Sequence, residues 1–169
     1  PAPARHVVSP LLDRRCADRQ RVVLARHGAE VGIVEDGAVA AVWLEGRVLA
    51  VQPSYRANLS WHGGGVRRGE EPREAARREL REELGLEVAP GDLVLARETV
   101  AEWDFRREHV RVFELRLRAE SVLRIDNREV VAARFVEPRA LLAEACLPPF
   151  IRAHLGGGHP DGRGTPTGA

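Results

Sequence analysis

This chain contains no lysine, only two cysteines, few aromatic residues, and no apolar run approaching a membrane span. Each absence excludes something. All 26 basic residues are arginines, which we read as coding bias, although guanidinium forks suit phosphate and carboxylate. Cys16 and Cys146 lie near opposite ends, so they make neither a disulfide framework nor a zinc site and read as buried or idle thiols. Without about 18 consecutive apolar residues, no transmembrane helix is expected. Pro1–Gln20 lacks the apolar stretch and cleavage site of a signal peptide, so the cytoplasm is the expected location. Nor is there an excess of one charge. The net charge is +1, with basic and acidic residues interleaved and no polybasic tail, so neither a nucleic-acid polymer nor a membrane surface is an expected partner.

What is present is an ordinary soluble composition. The 169 residues are 44% hydrophobic and 30% charged, enough for one domain with a real core and too few for two ordinary ones. Residues 1–20 form a Pro/Arg-rich N-terminal extension with a short helix around Leu11–Ala17. Residues 21–155 form the domain, and the Gly/Pro/Thr-rich end, 156–169, is expected to be a disordered tail.

Short β-branched and apolar runs at Val22–Ala25, Val31–Val34, Ala38–Leu44 and Val48–Val51 read as strands. Glu35-Asp36-Gly37 and Glu45-Gly46 fall between runs and read as hairpin turns, the second more clearly. A helix is expected from Pro72 to Leu84, with proline in its first turn and Gly85 just past its end. Further strands are expected at Leu93–Val100, His109–Leu117 and Val130–Val136. An interrupted helix follows at Leu141–Cys146 and Phe150–Leu155. This order implies an α/β or α+β sandwich.

The chemistry lies on the central helix. Glu79, Glu82 and Glu83 are three and four residues apart, so they project from one side within an arc of roughly 100°. Three crowded carboxylates repel, and an oxygen-ligated divalent cation such as Mg²⁺ or Mn²⁺ removes that cost. Ala76, Leu80 and Leu84 make a second, core-facing stripe. Ala75 falls on the carboxylate face, where its small size leaves room for a ligand. Arg78 can pair with Glu82 or Glu74, and Gly63, Gly64 and Gly65 allow a tight loop whose N–H groups approach phosphate. Helix spacing alone is equally compatible with a solvated, salt-bridged surface helix. The glycines and Glu70 argue against that reading, because a plain surface helix needs neither.

Gly64, Glu70, Arg78, Glu79, Leu80, Glu82, Glu83, Gly85 and Leu86 fill every fixed position of the Nudix box with its spacing intact. The chain thus resembles the Nudix hydrolases from about Ala38 to Leu155. Tyr55-Arg56 before the glycines, and Asn127-Arg128-Glu129-Val130 with Phe135 after the helix, look like the family's flanking segments. The resemblance implies an α/β/α sandwich with a mixed sheet, here with an extra N-terminal hairpin around Val22–Val34, and a possible homodimer. It implies metal ligation by Glu79, Glu82 and Glu83, orientation of one of them by Arg78, and for Glu70 either support of the loop–helix geometry or indirect binding of a second metal. Glu82 and Glu129 are the two candidates for the base that activates water. The reaction implied is hydrolysis of a nucleoside diphosphate linked to a further group, with metal neutralising the phosphates and acidifying the water. One departure stands out: Trp61-His62 replaces the Leu-Pro that many relatives carry. His62 either touches phosphate or, the preferred reading, simply takes the place of a rigidifying proline.

Substrate contacts are harder to read. Trp43, Tyr55, Trp61, Trp103 and Phe105 are candidate base platforms, although such residues more often pack in cores. Tyr55, Arg56, Trp103, Phe105 and His109 are retained as candidate contacts. Ala101-Glu102-Trp103-Asp104 lacks the markers that resemble the ADP-ribose, dinucleoside polyphosphate and NADH subfamilies, leaving a nucleoside triphosphate or related small nucleotide, with ADP-ribose or a nucleotide sugar as the alternative. Arg26-His27-Gly28 resembles the start of the histidine phosphatases, but strands and turns follow it rather than a helix. The isoprenoid isomerase branch needs a catalytic cysteine that neither terminal cysteine supplies. A catalytically weak nucleotide sensor is the alternative from another class, opposed by the complete set of box carboxylates.

Overall fold

The computed structural model describes residues 34–55, 58–103, 106–125 and 128–157. The expected helix near Leu11–Ala17, the strand Val22–Ala25 and most of the proposed N-terminal hairpin lie outside them. Within the described residues six strands make one mixed sheet. They are β1 (Val34–Leu44), β2 (Arg47–Pro53), β3 (His62–Gly65), β4 (Val94–Trp103), β5 (Arg106–Arg116) and β6 (Val130–Val136). Among the described residues three α-helices accompany them: α1 (Pro72–Leu84), α2 (Pro138–Leu142) and α3 (Pro149–Gly156). The main path is β4-β5-β1-β2-β6, with β3 joined to β1. Among the described strands, only β1 and β5 run parallel; the other pairs are antiparallel.

The β1–β2 hairpin turns at Glu45 and Gly46, both with positive φ (50° and 77°). That is the geometry a two-residue hairpin demands, and Trp43 faces Val48 across it. The other expected turn, Glu35-Asp36-Gly37, does not form. These residues continue β1, paired in register with Glu108, His109 and Val110 of β5, while Gly37 also faces Gly65 of β3. Strand partners on both sides satisfy the backbone groups that a turn would otherwise leave to water, so tertiary pairing overrides the local turn signal.

Alternation along β1 divides the core in two. Ala38, Ala40 and Val42 face α1 with Leu49, Phe113, Leu115, Leu80 and Leu84. Val39, Ala41 and Trp43 face the other layer with Val48, Trp61, Leu141, Phe150 and Ile151. The result is helix, sheet, helix, as expected. Leu80 and Leu84 are fully buried, each contributing roughly 1.5–3 kcal/mol by leaving water. Ala75 is fully buried in the same core; its small side chain packs against the sheet and leaves no space for a ligand.

The C-terminal helices start at prolines rather than where apolar periodicity placed them. Pro138 and Pro149 each open a helix, using the position where a missing N–H costs nothing. Gly156, expected in the tail, closes α3, and residues 158–169 lie outside the described set. Cys146 is disulfide-bonded, so it is not the idle thiol expected; Cys16 is not among the described residues. No helix of the described residues is long and apolar enough to cross a membrane.

Candidate active site

Helix α1 is held firmly at both ends. Pro72 follows an extended Glu71, and Gly85 adopts the left-handed conformation (φ 65°) beyond Leu84. Gly85 N–H donates to Arg81 O at 3.1 Å, and Leu86 N–H donates to Leu80 O at 3.0 Å. This glycine closure caps orphan carbonyls and fixes which way the last-turn carboxylates project.

At the other end of the site, β3 leads through a short loop into α1. Val66 N–H donates to Asp36 O at 2.8 Å, tying the loop to β1. Glu70 accepts from the Arg67 backbone N–H at 2.9 Å and from Arg78 Nε and Nη2 at 2.9 and 3.1 Å. The same guanidinium donates to Glu79 Oε1 at 2.5 Å and to Gly65 O at 3.2 Å. Arg78 therefore joins loop and helix through one planar fork. It meets Glu82 only at 3.6 Å, and Glu74 pairs with Arg77 instead. The Arg78 hydrogen bonds, chief among the causes, hold the Glu70 carboxyl down at about pH 2. The contact with Glu70 likewise raises the Arg78 pKa.

The three box carboxylates meet different surroundings. Glu79 is nearly covered and lies directly over Gly64, where an added Cβ would fall 2.5 Å from its Oε1. Burial raises the Glu79 pKa, opposed by Arg78 and reinforced by the nearby charge of Glu83. Glu83 is also buried, with Oε2 at 2.9 Å from His62 Nδ1. Glu82 is the exposed member, within 4.0 Å of Arg67 and 3.9 Å of Arg81. Among the described residues, no three His, Cys, Asp or Glu side chains converge closely enough to hold a metal ion as they stand. Chemically, however, two buried, mutually repelling carboxylates beside an exposed third form an all-oxygen donor set suited to a hard cation.

Gly63 and Gly64 are required for different reasons. A Cβ on Gly63 would lie 2.6 Å from Val39 Cα, inside the backbone of the adjoining strand. At Gly64 the obstacle is the Glu79 carboxylate, and Gly65 has open space around it.

A cleft of about 240 Å³ opens beside β3. Its walls include Gly63, Gly64, Gly65, His62, Glu83 and Glu129, together with Tyr55, Trp61 and Phe150. Glu35, Asp36 and Glu108 line it as well. Of the three box carboxylates only Glu83 reaches this cleft; Glu70 and Arg78 line a separate hollow of about 180 Å³. Tyr55 is well exposed at the cleft wall, whereas Trp43 and Trp61 are core residues, the latter edge-on to His154 at 5.2 Å. His109 is not brought to the cleft. It sits on the α1 side of β5, 3.3 Å from Asp36 and 3.9 Å from Glu98. Arg56 and Phe105 lie outside the described residues, as does the Trp103 side chain.

The approach of His62 to Glu83 is what sequence reasoning missed. His62 is 2% exposed and its Nδ1 lies 2.9 Å from Glu83 Oε2. The available signal was a polar residue entering a short strand beside the glycines. Glu108 and Phe150 gave no signal at all.

The NUDIX domain model matches residues 34–154. The chain belongs to the NUDIX family. Solved structures agree in fold. A MutT protein from Methanosarcina mazei Go1 is similar at 21% identity and TM-score 0.64, covering 76% of this chain and 94% of that one. The E. coli dihydroneopterin triphosphate pyrophosphohydrolase is similar at 22% identity and TM-score 0.54, covering 66% and 88%. A C. elegans Ap4A hydrolase gives 21% identity and TM-score 0.54, covering 64% and 84%. No curated protein matches significantly. The chain is a Nudix-type pyrophosphohydrolase, and such low identities leave its substrate to the site itself.

Proposed function

We propose that this Nudix hydrolase cleaves a phosphoric anhydride bond in a small nucleotide, most simply a nucleoside triphosphate, with Mg²⁺ or Mn²⁺ held by Glu79, Glu82 and Glu83. One observation carries the reading. The cleft beside the glycine loop is lined by Glu35, Asp36, Glu83, Glu108 and Glu129, with no arginine among its described lining residues. A polyphosphate cannot enter such a field on side-chain charge alone, because its own charges would be repelled. Divalent cations supply the missing positive charge, and when bound they polarise phosphate and lower the pKa of the attacking water.

The chain's own groups do the rest. Gly63–Gly65 bring the backbone close to where phosphate lies, and Arg78 steadies Glu79 against Gly64. Glu129 lines the same cleft as Glu83, whereas Glu82 faces Arg67 and Arg81. That favours Glu129 as the group that takes the water's proton. Tyr55 offers exposed aromatic surface for a base.

The relatives named for dihydroneopterin triphosphate and for Ap4A show that substrates differ among proteins of this fold. The test is Mg²⁺-dependent phosphate release across nucleoside triphosphates, oxidised nucleotides, ADP-ribose, nucleotide sugars and dinucleotides. Turnover of one class that stops on chelation is the expected result. Tight binding of a nucleotide with no product from any would favour the sensor reading instead.

A further inference from the structure

His62 occupies a position that burial alone would give to an apolar side chain. It opens β3, paired in register with Ala40 of β1, and its neighbour Trp61 belongs to the core. Its side chain is 1% exposed. The Nδ1 atom approaches Glu83 Oε2 at 2.9 Å, but off the direction of a good hydrogen bond. Neither ring nitrogen completes a well-directed bond in this structure. An imidazole placed so costs the fold something, since buried polar nitrogens are stable only when satisfied. The residue lies in the wall of the cleft, next to the first glycine of the loop. Its polar neighbour at 2.9 Å, Glu83, is the box carboxylate that reaches that cleft.

We propose that His62 is a positioning residue for Glu83. A small turn of the carboxylate would let Nδ1–H donate to Glu83 Oε2, now 2.9 Å away, and leave the other oxygen for a divalent cation. Side chains that orient a ligating group in this way raise metal affinity by about ten- to a hundredfold. The proposal rests on the reading above, in which Glu83 is a metal ligand. Arg78 performs the corresponding task for Glu79 from the other side, through its contact at 2.5 Å. The two restraints come from different elements, one from α1 itself and one from β3.

The test is Mn²⁺ affinity of the full chain without nucleotide, read from the electron paramagnetic resonance signal of free Mn²⁺, together with kcat and the Mn²⁺ dependence of turnover. His62→Leu should weaken Mn²⁺ binding about tenfold or more and shift the metal dependence more than kcat at saturating Mn²⁺. His62→Asn, whose amide nitrogen falls where Nδ1 was, should restore most of the affinity. His62→Gln, which places its nitrogen near the Nε2 position instead, should not. If His62→Leu does not fold, the Asn and Gln variants decide between them. Parental affinity in His62→Leu would overturn the proposal. Equal weakness in Asn and Gln variants that melt like the parent would also overturn it, because packing alone would then be the role of His62. Glu83→Gln separates the two levels of argument. If that variant binds Mn²⁺ as the parent does, or the parent binds none, the ligand assignment fails and the proposal with it.

Discussion

Glu79 and Glu83 stand one turn apart on α1, both largely buried, yet they are held in unlike ways. Glu79 is answered by Arg78, an adjacent residue of its own helix, whose fork also grips Glu70 and Gly65 O. Glu83 is answered by His62, from a strand 21 positions earlier, through a single close contact. The first arrangement carries permanent positive charge and several hydrogen bonds; the second offers one ring nitrogen at 2.9 Å. The first carboxylate is clamped at the loop, whereas the second lines the cleft beside His62. The same residue type therefore has two grades of constraint within one helical turn.

The largest effect that would break this contrast is loss of the cleft carboxylate. Glu83→Gln should lower kcat by at least about a hundredfold with a near-parental melting curve, as measured by Mg²⁺-dependent turnover and circular dichroism. Retained activity would mean that Glu83 is not the functional member of the pair. Arg78→Ala attacks the other side. It strands Glu70 and Glu79 together, and urea unfolding should show a loss on the order of 3 kcal/mol. Arg78→Lys should recover only part, since an ammonium cannot reproduce the fork.

The glycines sharpen the comparison at smaller cost. Gly63→Ala meets the β1 backbone and should destabilise by about 1–3 kcal/mol. Gly64→Ala meets only the Glu79 carboxylate, so it should spare the melting temperature and weaken metal binding instead. Equal thermal losses in both variants would show that Glu79 is not the contact that matters. The smallest effect is acid sensitivity. The Glu70 pKa is lowered to about 2 from 4.5, so the stability it contributes is present above about pH 4.5 and is lost as pH falls toward 2. Glu70→Gln should flatten that part of the stability profile, a difference visible in unfolding curves at pH 5 and pH 3.

Several parts of this architecture were legible in advance, for local reasons. The bounds of α1 followed from Pro72 and Gly85, and the β1–β2 hairpin followed from Glu45-Gly46. Both are signals carried by backbone dihedrals of a few neighbouring residues. Other signals misled for the same reason. Glu35-Asp36-Gly37 has turn chemistry but lies between two strands that supply its hydrogen bonds. Ala75 shares an angular sector with the carboxylates, yet the sheet covers it. Helical spacing gives direction around an axis, not what stands opposite.

The sequence by itself determined the Nudix box, the common face of Glu79, Glu82 and Glu83, and the helix that carries them, because these depend on spacing along one rigid element. Only the tertiary structure decided which carboxylate faces the cleft, that Arg78 spans to Glu70, and that His62 meets Glu83. Those contacts join residues from separate elements, and their distances are set by how β1, β3 and α1 pack rather than by any local preference of the chain.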